Sequence, residues 1–149
     1  MRGMSAAELY AEALRYGLEI PQDMRDASPT EREACWNGVG PERSPLVRRA
    51  LNWAFSFLQP ACLIHDWRYY KALGTWHDWR DANAQMERNC WALIRRKLAW
   101  YMIWRRPGLV AETEAARVAV DSDAGRDAYD EARKARVARE FQPGPEVAG

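Results

Sequence analysis

The chain is poor in the residue types that mark several common protein classes. Its 149 residues include two histidines and three cysteines. Three cysteines are too few for a disulfide scaffold, and the odd number leaves at least one thiol free or paired with another chain. Metal phosphohydrolases and nucleases usually draw several histidine or carboxylate ligands from several helices, so two histidines disfavour that class.

Long apolar runs and a strong net charge are also missing. The most apolar stretch, residues 91–104, is interrupted by Arg95, Arg96 and Lys97, so we expect no membrane span. The N-terminal segment lacks the continuous apolar core of a signal peptide, which favours an intracellular protein. A net charge of +1 gives the molecule no strong attraction to nucleic acid, and we predict no nucleic-acid partner.

What the chain does contain is helical. Runs of alternating β-branched residues are absent, whereas Ala, Leu, Arg, Glu and Trp recur at helical spacing, so the predicted fold class is all-α. Two long central helices are predicted. The first spans residues 61–73 with Pro60 in its first turn, and the second spans about 78–105 and is stopped by Pro107 and the glycine after it.

Shorter elements are predicted around this central pair. They are an N-terminal amphipathic helix with Leu9, Ala13 and Tyr16 on one stripe, a polar connection over 19–29, a short helix entered at 28–31 and ending near Trp36, a loop over 37–41, an apolar helix over 46–58, one or two amphipathic helices over 110–141, and a disordered end.

The candidate chemistry lies in a tetrapeptide, HDWR, that occurs at residues 65–68 and again at 77–80. In the first copy, Cys62, His65 and Tyr69 are separated by three- and four-residue steps and share a helix face with Asp66. That face would bring together an imidazole, a carboxylate and a phenol. An isolated His-Asp pair is usually a surface dipeptide, so the surrounding residues must decide its meaning.

Those surrounding residues form two ordered motifs, NGxGP at 37–41 and PACxxHDxxY at 60–69. Together they resemble the loop and the catalytic helix of the secreted-type phospholipase A2 superfamily, particularly its bacterial and fungal members. The resemblance covers roughly residues 35–90. It implies two antiparallel central helices, a glycine-rich calcium loop, and a calcium-dependent enzyme that cleaves fatty-acyl esters of membrane phospholipids.

The resemblance also assigns roles to residues. His65 would be the base that activates water, which suits an imidazole near neutral pH, and Asp66 would be the side-chain ligand of Ca²⁺. The other calcium ligands would be backbone carbonyls of Trp36, Gly38 and Gly40. A second carboxylate would orient the histidine; Asp81 is preferred, and Asp78 is the alternative, although either could simply begin its helix. Tyr69 would hydrogen-bond that carboxylate or serve as a core tyrosine.

Departures from the family pattern keep a second hypothesis open. Val39 and Arg68 stand where the family usually has cysteine, and a bridge between Cys35 and Cys62 remains open. The missing cysteines and the extra apolar segment are compatible with a catalytically silent module of the same fold. A chain of this kind without a signal peptide is similar to phage and viral members, which implies a cytoplasmic or virion-associated protein, exported only by a non-classical route.

Two further segments suggest partners. Residues 90–106 interleave Trp, Tyr and Ile with Arg and Lys, which suits either a phospholipid membrane surface or a buried helix with snorkelling arginines. The phospholipase-like domain is predicted over 1–108. Residues 109–149 would be a helical extension that is able to bind a protein partner.

Overall fold

The described part of the chain consists of helices and short connections. The computed structural model describes residues 4–36, 56–98 and 100–140, and within them it contains seven α-helices, one 3-10 helix and no strand. The α-helices are α1 Ala6–Arg15, α2 Gln22–Asp26, α3 Pro29–Cys35, α4 Gln59–Tyr70, α5 Trp76–Lys97, α6 Arg106–Val120 and α7 Asp123–Glu140, and the 3-10 helix Trp100–Arg105 lies between α5 and α6. The predicted all-α class is confirmed.

Helices α1 and α3 begin at serines that cap them. The Ser5 hydroxyl accepts from the backbone N–H of Glu8, whose carboxylate binds back to Ser5, so α1 begins with a capping box. The Ser28 hydroxyl accepts from the backbone N–H of Glu31 and caps α3, which ends at Cys35, next to the predicted end near Trp36. The connection over 19–29 was expected to be irregular, but it contains the short helix α2.

Helices α4 and α5 form the central antiparallel pair. Pro60 lies in the first turn of α4, as predicted, and α4 ends at Tyr70 rather than at residue 73. A short connection through Gly74, with φ +82°, reverses the chain. Arg68 on α4 contacts Asp78 on α5, and the earlier residue His65 contacts the later residue Asn83. The two helices therefore run in opposite directions.

The end of the second central helix differs from the prediction. Helix α5 ends at Lys97, and a separate helix, α6, begins at Arg106. Pro107 was expected to stop a helix but lies in the first turn of one. A proline fits there because the first backbone N–H groups of a helix have no intrahelical acceptor to lose.

The C-terminal helices pack onto the central pair, α6 on α5 and α7 on α4. The predicted tail of one or two helices is therefore two, joined by a turn at residues 121–122. The predicted domain boundary between residues 108 and 109 falls inside α6, and Leu109 is fully buried in the main core cluster. That cluster unites side chains from α1, α4 and α5 with Leu109.

Three predictions fall on residues outside the described ranges: the loop 37–41, the greater part of the apolar helix 46–58, and the disordered end after residue 140. Among the helices that are described, none is long and apolar enough to cross a membrane.

Candidate functional site

His65 lies in the middle of α4, on the face that α5 covers. The residue is only 7% exposed. Its Nε2 is 3.1 Å from Oδ1 of Asn83 on α5, and its ring contacts the ring of Tyr69 one turn later, with centroids 4.0 Å apart. The Tyr69 hydroxyl donates to the same Asn83 oxygen at 2.9 Å. His65, Tyr69 and Asn83 therefore form one buried hydrogen-bonded cluster.

The hydrogen bonds of the Asn83 amide nitrogen fix the orientation of its side chain. Its Nδ2 donates to the backbone oxygen of Val120 at 3.0 Å and to Oδ1 of Asp121 at 2.9 Å. A backbone oxygen can only accept, so the amide nitrogen must face it and Oδ1 must face the histidine. Oδ1 accepts from His65, so the proton of the neutral imidazole resides on Nε2. The lone pair is left on Nδ1.

The surroundings keep the imidazole neutral. Burial, followed by the positive charge of Arg68, lowers the pKa of His65 to about 4, although the hydrogen bond to Asn83 acts in the opposite direction. Burial has this effect because the charged form of histidine loses more hydration than the neutral form. A neutral amide such as Asn83 stabilises a positively charged imidazole less than a carboxylate would, because it carries a dipole and no net charge.

Asp66 lies on the Nδ1 side of the histidine. Its Oδ1 is 4.0 Å from His65 Nδ1, and its side chain is 29% exposed. Burial raises the pKa of Asp66 well above its ordinary value. No cationic side chain within the described ranges forms an ion pair with this carboxylate. Carboxylate oxygen is the ligand type that a hard cation such as Ca²⁺ prefers, and a bound cation would offset the cost of burying this charge.

The end of α3 lies close to Asp66. Burial, with the negative charge of Asp66 as the next cause, raises the pKa of the Cys35 thiol to about 12. Helix α3 is also tied to α4 by an ion pair between Glu31 and Lys71, with 2.6 Å between Oε1 and Nζ. The C-terminal end of α3 therefore lies near enough to Asp66 for its charge to act on Cys35.

The predicted backbone ligands are described only in part. Trp36, half-buried and extended in conformation, is the first residue after α3, whereas Gly38 and Gly40 lie outside the described residues. In the ranges that are described, no three His, Cys, Asp or Glu side chains converge on a metal position. A cation at Asp66 would thus need oxygen ligands beyond those side chains.

The carboxylate expected to orient His65 is not the group found there. Asp81 is exposed on α5, and its position beside the histidine is taken by Asn83. Two residues along a helix turn it by about 200°, so positions 81 and 83 face in nearly opposite directions. The signal that could have identified Asn83 is the buried stripe of α5 at helical spacing, which includes residues 79, 82, 83, 86 and 90.

Asp78 has a different partner set. Its carboxylate accepts from Arg68 Nη2 at 3.0 Å, from the backbone N–H of Leu73 at 2.9 Å and from the Tyr129 hydroxyl at 2.6 Å. It therefore joins the end of α4, the start of α5 and α7. The residue that caps α5 is Thr75, whose hydroxyl accepts from the Asp78 N–H.

The remaining predicted features are placed as follows. His77, in the second HDWR copy, is exposed in the first turn of α5. All three cysteines are free thiols, so no bridge joins Cys35 to Cys62.

Residues 90–106 divide between the two alternatives. Cys90, Leu93 and Ile94 are buried and Trp91 and Leu98 pack against the main core, as expected of a buried helix. In contrast, Trp104 is 74% exposed and Ile103 is also exposed, beside exposed Arg105 and Arg106. The side chains of residues 103–106 therefore lie outside the core and are free to meet a membrane surface.

The described residues thus define an all-α protein in which a buried histidine is held by an amide and lies beside the carboxylate of Asp66. Comparison of the chain with protein-family models, with curated proteins and with solved structures gave no match.

Proposed function

We propose that this chain is a calcium-dependent phospholipase A2-like hydrolase, in which His65 is the catalytic base and Asp66 a calcium ligand. The observation that supports the proposal best is the fixed orientation of the imidazole. Nε2 is held by Asn83 Oδ1 at 3.1 Å, so the free lone pair is on Nδ1, next to Asp66. A base must present a lone pair toward the reacting centre, and a metal ligand must lie near it.

In this reaction His65 Nδ1 accepts a proton from a water molecule, whose oxygen attacks the ester carbonyl of the phospholipid. The bond between the acyl carbon and the alcohol oxygen then breaks, and the proton passes from Nδ1 to the leaving alcohol. Calcium held by Asp66 and by carbonyls of residues 36, 38 and 40 would supply a Lewis acid for the ester oxygen. Asn83 and Tyr69 keep the imidazole in place throughout.

A catalytically silent module of the same fold is the second candidate, and one observation favours it. A neutral amide contacts Nε2, and burial lowers the pKa of His65 to about 4. Such an imidazole is a weaker base than an ordinary histidine, because its protonated form is poorly stabilised. The silent protein would act through a partner, with α6 and α7 as the available C-terminal surface.

The test is the release of fatty acid from vesicles of mixed anionic and zwitterionic phospholipids, with Ca²⁺ and then with a chelator. We expect calcium-dependent release that falls by about 10²-fold or more in His65→Gln. The matched control is His77→Gln, which changes the exposed histidine of the second HDWR copy and should leave the rate unchanged.

A second pair of variants addresses the metal. Asp66→Asn should abolish calcium-dependent release and weaken calcium binding measured by titration calorimetry, whereas Asp81→Asn, on the exposed face of α5, should change neither. Calcium-dependent release at the wild-type rate from Asp66→Asn would contradict its assignment. Folded wild-type protein that releases no fatty acid under either condition would favour the silent module.

A further inference from the structure

We propose that Asp121, in the turn between α6 and α7, is a positioning residue that acts through Asn83 to determine which nitrogen of His65 carries the proton. The inference rests on the proposed function for its catalytic meaning. Its structural content can be measured without any substrate. Asp121 belongs to the segment outside the phospholipase A2 resemblance, and the sequence motifs assign it no role.

The geometry at Asn83 supports the proposal. The two hydrogens of Nδ2 are directed to Asp121 Oδ1 at 2.9 Å and to the Val120 oxygen at 3.0 Å. On the other side, Oδ1 accepts from His65 and Tyr69. Two acceptors at one end and two donors at the other allow a single orientation of the amide. Asn83 is 4% exposed, so water is a poor substitute for these partners.

Asp121 also adds charge at the correct end of the amide. The Val120 carbonyl and Asp121 lie at the C-terminus of α6, where unpaired carbonyls form the negative end of the helix. Hydrogen bonds to a carboxylate are stronger than those between neutral groups, and linked hydrogen bonds polarise one another. The hydrogen bond from Asn83 to Asp121 thus makes Oδ1 of Asn83 a better acceptor for the proton on Nε2 of His65.

The turn that holds Asp121 is tightly packed. A Cβ added at Gly125 would overlap the Val120 oxygen, so α7 approaches the end of α6 as closely as a glycine allows. The Asp121 N–H donates to the Arg117 oxygen at 3.0 Å, which keeps the residue in the last turn of α6. Packing of α7 on α6 therefore sets the position of both acceptors.

The alternative arrangement would place the lone pair on the wrong nitrogen. If the Asn83 amide were turned over, its nitrogen would face His65 Nε2, which could then only accept. The imidazole proton would have to move to Nδ1, on the side of Asp66, and no lone pair would remain there to take a proton from water. Asp121 opposes this arrangement because its carboxylate would face the amide oxygen.

The experiment measures the tautomer of His65 by ¹⁵N NMR of histidine-labelled protein at pH 8. The chain has two histidines, so His77→Gln assigns the signals, and exposed His77 provides an internal reference for a solvated imidazole. In the wild type we expect the Nε2–H form. A wild-type protein that carries the proton on Nδ1 would overturn the proposal, whatever the variants do.

Three variants isolate Asp121. Asp121→Leu removes the acceptor and should raise the ratio of the Nδ1–H to the Nε2–H form about tenfold, with kcat falling as the Nε2–H fraction falls and KM unchanged. Asp121→Asn retains an acceptor oxygen and should keep the wild-type tautomer. Arg117→Gln removes the neighbour whose Nη1 is 3.8 Å from Asp121 Oδ2 and should also leave the tautomer unchanged.

The outcomes separate the positioning role from the proposed function. An altered tautomer in Asp121→Leu supports the positioning role even if the wild type hydrolyses no phospholipid, in which case only the proposed function fails. A wild-type tautomer in folded Asp121→Leu overturns the positioning role even if the wild type is active. An equal change in Arg117→Gln would also overturn it, because the effect would then come from the ion pair in the turn.

Discussion

Replacement of Asn83 by leucine tests whether the buried amide holds the central helices together. Asn83→Leu keeps a side chain of similar size but removes four hydrogen bonds, to His65, Tyr69, Val120 and Asp121. The histidine N–H and the tyrosine hydroxyl would remain buried without a partner. Each such group costs about 1–3 kcal/mol. Asp121 is partly exposed and can regain water.

We expect the free energy of unfolding to fall by about 3 kcal/mol, a large part of the roughly 5–15 kcal/mol that is typical of a domain. The melting temperature should fall by about 6–12 °C. Urea unfolding followed by tryptophan fluorescence measures the change, with the slope m expected to stay constant. The control is Ala84→Leu, which places the same leucine at the next position, on the exposed side of α5, and should lie within about 0.5 kcal/mol of the wild type. A loss below about 1 kcal/mol in Asn83→Leu would refute the energetic role of the amide.

Three further predictions concern other parts of the fold. Gly125→Ala should lower the free energy of unfolding in urea by about 1–3 kcal/mol, because the new Cβ would overlap the Val120 oxygen. The control is Gly108→Ala, which should not destabilise the protein because no atom lies within 4 Å of its Cβ. Equal losses in the two variants would contradict the tight turn at Gly125. Burial, and then the hydrogen bond to Asp78, raises the pKa of Tyr129 to about 12, above the unfolded value of about 10. Stability should therefore fall as the pH rises from about 10 to 12, and a Tyr129→Phe variant that loses as much stability over this range would argue against the tyrosine as its source. The three thiols are buried with raised pKa values, so a thiol reagent at pH 8 should modify them only as the protein unfolds, and rapid labelling of the native protein would be inconsistent with that burial.

The sequence predicted those parts of the fold that depend on neighbouring residues. Ser28 and Pro60 mark helix starts because a cap and a first-turn proline act within one turn of the chain. Pro107 was misinterpreted for a related reason. The residue can follow one helix or begin the next, and only the extended conformation at Leu98 shows that α5 has already ended.

The histidine cluster depended on contacts that no local pattern specifies. His65 and Tyr69 were predicted together because they lie four residues apart on one helix. Their shared partner Asn83 comes from the facing helix, and its own partners lie 37 and 38 residues further along the chain. A search restricted to carboxylates selected Asp81, although the buried polar residues of α5 are the amides Asn83, Gln85 and Asn89.

The late position of Val120 and Asp121 in the chain has a consequence for biosynthesis. A ribosome makes the chain from its N-terminus, so the segment with both sequence motifs emerges before the acceptors that fix the Asn83 amide. Before residues 120 and 121 have emerged, the nascent chain lacks both acceptors of the Asn83 amide nitrogen. The order of synthesis thus delays completion of the histidine cluster until residues 120 and 121 have been made.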